Sequence, residues 1–327
     1  MVYAQGSGGP QSVKDRMHDL PRIMVAICTF QRNDPLKTLL VALQTVAAAT
    51  AGRARVGVVV VDDNTDQRAR AVVDEFEKEF ALGCLYRTSG RRNISLARNV
   101  AVDTASVEAE WVAMIDDDCE PEPRWLCEFL DVLEATGADC VTGPMHLRVP
   151  PGSPAWLSEQ PFFDDVRLDL PDRQTMNIAA TNNSMIRAAF LRDHPEIRFD
   201  PNLGRLGGED MVFYRAAFTA GLRIRYARSA RVWGNEPPDR ATFKHQVRYR
   251  FWLGNSEFIT NSYFGESRSR LFLTGAKRLA LALGRPVRRL LHGDQPQLRY
   301  CVASTAGAVG LICGTLGLKK HHPQDKS

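Results

Sequence analysis

Three short apolar runs, each closed by a polar or acidic turn, constrain this chain more than any other feature. Residues 23–29 read Ile-Met-Val-Ala-Ile-Cys-Thr, residues 56–61 lead into Asp62 and Asp63, and residues 110–115 end at Asp116, Asp117 and Asp118. Apolar runs with little alternation suit strands buried on both faces of a parallel sheet. Helical patterns over about 36–49, 69–80, 94–105 and 124–136 separate them, with further strands at 84–86 and 139–143. Asn33 or Asp34 is placed to cap the first helix, and Asn93 or Ser95 the third. This alternation predicts a doubly wound α/β sheet. Ligands in such a sheet sit beyond the carboxyl ends of the strands, so Thr29, Asp63 and the three consecutive aspartates are expected along one edge.

Composition narrows the function. The chain has 327 residues, enough for one large α/β domain or two small ones, and a net charge of only +4. No zinc-finger or RNP-type motif accompanies that mild basicity, so nucleic acid is not an expected partner. Seven scattered cysteines without a CxxC pair point to reduced thiols in a cytoplasmic setting. Residues 1–20 lack an apolar stretch and read as a flexible lead-in, not a secretory signal. Residues 150–171 are rich in Pro and aromatics and read as a surface excursion. Past residue 268 the chain becomes basic and apolar, and residues 300–318 carry no charge. That tail is expected to form a helical hairpin lying on the membrane face or on a partner subunit such as a second copy of the chain, with ordinary core helices as the competing reading.

Three adjacent carboxylates at a strand end repel one another unless a cation sits among them. Mg²⁺ or Mn²⁺ carrying a diphosphate is the natural partner, since such ions take one or two carboxylates together with phosphate oxygens. The competing reading is an acidic surface turn. Asp118 lies furthest along the turn and is the first choice as metal ligand, and Asp116 and Asp117 suit ribose hydroxyls or the metal's water shell. Asp63 suits a nucleobase edge or ribose. Glu209 and Asp210 follow a Gly-rich loop and open a helix over 211–220, so one of them can act as a base, although acids there also serve as ordinary N-caps. His245, Arg248 and Arg250 are candidates to clamp a diphosphate. Trp156, Trp233 and Trp252 can stack on sugar rings or simply fill core.

The strings Cys28-Thr-Phe-Gln-Arg32, Val61-Asp-Asp-Asn64, Asn93-Ile-Ser-Leu-Ala-Arg-Asn99, Ile115-Asp-Asp-Asp118, Asn182-Asn-Ser184 and Gly208-Glu-Asp210 resemble, in that order, the family-2 glycosyltransferases. The resemblance covers about residues 22–255, and Glu236-Pro-Pro-Asp-Arg-Ala-Thr242 is similar to the subgroup that builds bacterial exopolysaccharides such as succinoglycan. It implies a GT-A fold over 21–255, with a nucleotide-sugar half to about 145 and an acceptor half after it. It implies inverting transfer of one sugar from a nucleotide-diphosphate donor, usually UDP-linked, with Mn²⁺ or Mg²⁺. The acceptor would be a hydroxyl of a lipid-linked (polyprenyl) or oligosaccharide glycan, at the cytoplasmic face of a membrane. By position, Thr29, Phe30, Arg32, Asp63, Arg98, Asp116 and Asp117 would bind nucleotide, and Asp118 with Asp116 would hold metal. Asp210 would be the base beside Glu209. Asn182, Asn183, Trp156 and Trp233 would meet the acceptor. The family's usual closing histidine is replaced here by Trp-Gly-Asn-Glu, leaving Glu236, His245 or Arg248 to complete the metal or diphosphate site. His245-Gln-Val-Arg-Tyr249 departs from the Gln-x-x-Arg-Trp signature of processive members, which favours a single addition. A nucleotidyltransferase and a non-catalytic nucleotide-sugar-binding protein are the competing readings.

Overall fold

The computed structural model describes residues 20–163 and 170–321. The expected lead-in and the middle of the 150–171 excursion fall outside these residues. Four parallel strands form the first half of the main sheet: β1 (Arg22–Thr29), β2 (Arg55–Asp62), β3 (Cys84–Thr88) and β4 (Trp111–Met114), in the order β3-β2-β1-β4. The sheet continues through β9 (Ser184–Arg187), which is antiparallel to β4 and to β6 (Cys140–Thr142). It ends with β10 (Ile224–Tyr226), parallel to β6, and the antiparallel strand β8 (Thr175–Met176).

Side chains alternate between two cores. Ile23, Val25 and Ile27 of β1 pack on one face with Leu36, Leu39, Leu40 and Leu43 of α1 (Asn33–Thr50) and with Trp125 and Phe129 of α4 (Trp125–Thr136). Met24 and Ala26 pack on the other with Ala97, Ala101 and Ala105 of α3 (Ile94–Glu108) and with Phe213 and Tyr214 of α7 (Glu209–Thr219). The two-faced burial accounts for the near-continuous apolar runs. The layout is the expected doubly wound α/β sheet with helices on both faces.

Three details differ from the expected elements. The second helix is short: α2 spans only Arg70–Asp74 and then breaks into turns. Asp74, Glu75, Glu77 and Glu79 crowd what would be its C-terminal half, where the helix dipole disfavours negative charge. Neither Asn33 nor Asp34 caps α1; Arg32 occupies the cap position, and the Asn33 amide donates to the Arg68 carbonyl at 2.9 Å. Asn93 does cap α3, accepting from the Ser95 and Leu96 amides. Finally, the aspartate turn leads directly into a strand. β5 (Cys119–Pro121) pairs with β11 (Val232–Asn235), whose other neighbour is β7 (Met145–Arg148), in a separate three-stranded sheet.

The C-terminal region is a three-helix unit. α8 (Phe243–Tyr263) runs well past Gly254, although glycine is a common helix terminator. That glycine is a contact, not a stop: a Cβ there would lie 1.9 Å from the Gly307 carbonyl oxygen of α10 (Leu298–Thr315). A Cβ at Gly310 would lie 2.0 Å from the Phe251 carbonyl oxygen. α10 is also met by α9 (Arg268–Leu291), where Gly275 abuts Ile312. α10 has the length and composition to cross a membrane, yet its small residues are used to bring two helices of the same chain close. The expected hairpin of α9 and α10 is present, packed on α8.

Candidate active site

The chain goes from β1 outward to β3 and then returns to lay β4 on the other side of β1, which makes the carboxyl ends of β1 and β4 a topological switch point. Thr29 and the aspartate turn meet there. The Thr29 hydroxyl donates to Asp117 Oδ2 at 2.8 Å, and one Arg32 nitrogen donates to Asp117 Oδ1 at 3.0 Å and Asp118 Oδ2 at 2.7 Å. Arg32 at the entrance of α1 is thus the resident cation of this turn. Burial pushes the Asp117 carboxyl up to about 6, against the pull of Arg32 and the Thr29 hydrogen bond.

Asp116 points the other way. Arg98 of α3 reaches it at 3.4 Å and also pairs with Glu209. Burial works against the Arg98 charge, but Glu209 and Asp116 outweigh it and raise its pKa above the ordinary value. Burial likewise raises Asp116 and Glu209, each opposed by Arg98. The Asp116 side chain still has 40 % of its surface open to solvent, whereas Glu209 is down to 9 %. Asp210, next in the chain, is half-buried and accepts from the Met211 amide at 2.8 Å. Among the described residues no cation lies within ion-pair distance of it. Its charge acts on Asp116, Arg98 and Glu209, so the later acidic pair and the aspartate turn face each other.

The loop that presents Glu209 and Asp210 is held from behind by α8. Gly207 and Gly208 have φ of +83° and +87°, where glycine is favoured. Side chains there would meet Trp252 at 2.1 Å and Thr260 at 2.3 Å, and the Trp252 indole donates to the Leu206 carbonyl at 2.9 Å. Trp252 is therefore a buttress and not a sugar platform.

Glu236 comes to the aspartate turn through β11, whose Asn235 amide donates to the Asp118 carbonyl at 3.3 Å. Burial raises the Glu236 pKa, Arg240 at 3.8 Å opposes that, and the charge of Asp118 adds to it. His245 and Arg248 lie on the first turns of α8; burial lowers the His245 pKa, and the charges of Arg240 and Arg248 add to that. Of the three closure candidates, Glu236 is the one whose interaction with Asp118 is resolved. Among the described residues no three His, Cys, Asp or Glu side chains form a ready metal cluster. The donor set nonetheless suits a hard divalent ion that brings its own phosphate oxygens: the turn already holds a cation between Asp117 and Asp118, and Asp116 and Asp118 keep solvent-open carboxylates.

Several predicted residues have other work. The Asp63 carboxylate accepts from the Ser89 hydroxyl and the Arg91 and Asn93 amides, fixing the loop that enters α3. Phe30 lies under the Arg92 guanidinium, 5.7 Å from its ring centroid. Asn183 is a correction: it is fully buried, accepts from the Trp125 indole, and donates to the Pro144 and Ala230 carbonyls, so it has nothing left for an acceptor. Asn182 is only partly buried and contacts the Met145 sulfur. Trp156 packs edge-on against Phe162 and Phe243, and Trp233 stacks on His146 with Arg148 also over its ring. Both tryptophans are thus engaged within the protein. Two residues went unnoticed in the sequence. Arg240 is the cation beside Glu236, and Tyr249 of α8 is acted on by the charges of both Glu236 and Asp210. No spacing rule links Tyr249 to Asp210, whereas Glu236 and Arg240 stand at the i,i+4 spacing, a signal that the sequence did offer.

A doubly wound sheet with acids gathered at its switch point, and a second acidic pair facing them, is the arrangement that the resemblance to GT-A sugar transferases implies. The profile of glycosyl transferase family 2 matches residues 24–194, and the chain belongs to that family and is a glycosyltransferase. The succinoglycan biosynthesis protein ExoM of Rhizobium meliloti is 30% identical to it over 304 residues, spanning 91% of this chain and 94% of that protein. The glucosyl-dolichyl phosphate glucuronosyltransferase of Haloferax volcanii is 24% identical over 265 residues, or 75% of this chain and 79% of that one. In fold the chain is similar to S. aureus TarS 1–349, with a TM-score of 0.53 at 16% identity over 91% of this chain and 92% of that one. The same TarS segment in complex with UDP-GlcNAc gives 0.52, covering 89% of this chain and 90% of that one.

Proposed function

We propose that the enzyme transfers one sugar, with inversion, from a UDP-linked donor to a hydroxyl of a lipid-linked or oligosaccharide acceptor. The observation that carries this reading is the meeting of two acidic sets at Arg98, the aspartate turn through Asp116 and the Glu209–Asp210 pair through Glu209. The acceptor oxygen bonds to the anomeric carbon as the bond from that carbon to the diphosphate oxygen breaks. The electron pair leaves with the nucleoside diphosphate, and the acceptor proton passes to Asp210. Glu209 stays paired with Arg98 and positions Asp210 and Asp116. Thr29 and Arg32 orient Asp117 and Asp118 toward the donor. Asp118 and Asp116, with Glu236 beside them, would hold Mn²⁺ or Mg²⁺, which neutralises the departing diphosphate when bound. The TarS complexes with UDP and UDP-GlcNAc support a UDP donor, and the names of the two relatives support a glycan or lipid-linked acceptor. A panel of nucleotide sugars, incubated with acceptor and Mn²⁺ or with a chelator, tests it. Metal-dependent release of UDP supports the reading; pyrophosphate release, or turnover untouched by chelator, would sink it.

A further inference from the structure

The sequence reading left two coverings for the C-terminal hairpin, a membrane or a partner subunit, and the side chains of α9 discriminate between them. α9 is 24 residues long, about 36 Å at the usual rise. Between Arg268 and Leu291 it carries seven basic and no acidic residues. Its surface divides into three lines at helical spacing. Leu271, Gly275 and Ala282 are buried against the rest of the bundle. Phe272, Leu283, Val287, Leu290 and Leu291 form a second line, and the last four of these keep 60–81 % of their surface in solvent. Arg270, Lys277 and Arg288 form a third, along the far rim of the apolar one. The helix therefore buries only one margin of its apolar arc, and the larger part of that arc is uncovered.

The charge decides the occupant. Arg278 is spent on Glu257 of α8 and Arg270 on Glu266, and Arg285 lies over Tyr300. Among the described residues no carboxylate lies within ion-pair distance of Lys277 or Arg288. A second copy of this helix facing the first would bring two such cationic rims together without acids to match them. An anionic lipid surface supplies the missing negative charge, and its acyl boundary takes the apolar stripe. Lys319 and Lys320, just beyond α10, add to the same positive end of the chain.

We infer that α9 docks flat on an anionic bilayer surface, its Phe272 to Leu291 stripe immersed and Lys277 and Arg288 at the headgroups. The inference does not depend on which donor or acceptor the enzyme uses. Flotation of the full-length protein with phosphatidylcholine vesicles, and with the same vesicles containing phosphatidylglycerol, tests it. The wild type is expected to float with the anionic vesicles only. Leu283→Gln/Val287→Gln/Leu291→Gln alters three exposed positions and is expected to abolish flotation with the melting temperature unchanged. Lys277→Gln/Arg288→Gln is expected to weaken it about fivefold for each cation removed. Equal flotation with both vesicle types, or a triple variant that floats like the wild type, overturns the inference. So does a wild-type dimer that the triple variant dissociates while neither protein binds vesicles, because the stripe is then an interface between copies.

Discussion

Glu209 and Asp210 are adjacent, yet the fold gives them opposite environments. Glu209 is buried against Arg98, and removing one partner of a buried pair leaves an uncompensated charge. Glu209→Gln should therefore cost about 3 kcal/mol of stability, read as a lowered urea midpoint. Asp210→Asn should melt with the wild type but lose transfer by about 10²-fold or more, read as initial rate at saturating donor. Asp139 offers a separate check on the electrostatics. Burial raises its pKa, but Arg223 at 2.7 Å and Arg187 at 3.1 Å outweigh that and hold it below the ordinary carboxylate value. A depressed folded pKa gives stability that is present above the unfolded value near 4 and is lost as pH falls through the folded one. Asp139→Asn should remove that acid-side component, on the order of 1 kcal/mol, flattening the melting temperature below about pH 4. The edge to which Thr29, Asp63 and the aspartates belong was legible in the sequence, because strand direction alone sets it. Which neighbour each would pair with was not. Asn183 looked like an exposed polar residue, and only the approach of Trp125, Pro144 and Ala230 shows it saturated.

At the scale of elements, β1 to β4 and β6 were legible to within a residue or two, since buried strands write a nearly unbroken apolar run, whereas β8 and β9 of the same sheet went unread. Helix extents were less so. Gly254 has the residue type of a terminator, and only the position of Gly307 reveals it as a packing contact. β5 and β7 of the small sheet are only three and four residues long, too short for any periodicity to register. Two substitutions test these elements. Asn93→Ala removes the α3 cap and should cost about 1 kcal/mol, by thermal or denaturant unfolding. Gly310→Ala forces a methyl group into the α8 backbone and should cost about 1–3 kcal/mol. Because α8 also carries Trp252 against Gly207, Gly310→Ala should lower kcat more than a surface change of equal stability cost.

At the scale of the whole molecule, the C-terminal bundle and the sheet domain meet at the loop that carries Glu209 and Asp210. The boundary expected near residue 255 falls inside α8, so the tail is not an appendage. A chain truncated after residue 264 would lose α9 and α10 and expose the face of α8 that Gly307 and Gly310 cover. It should show a lowered melting temperature and little transfer, whereas a separable tail would leave both unchanged. In the proposed reaction the aspartate turn holds the donor while Asp210 serves only the acceptor. Calorimetric titration of UDP with Mn²⁺ into Asp118→Asn and Asp210→Asn separates the two roles directly. Wild-type affinity is expected in Asp210→Asn and at least a tenfold loss, about 1.4 kcal/mol, in Asp118→Asn; undiminished binding in Asp118→Asn would mean that the turn does not hold the donor.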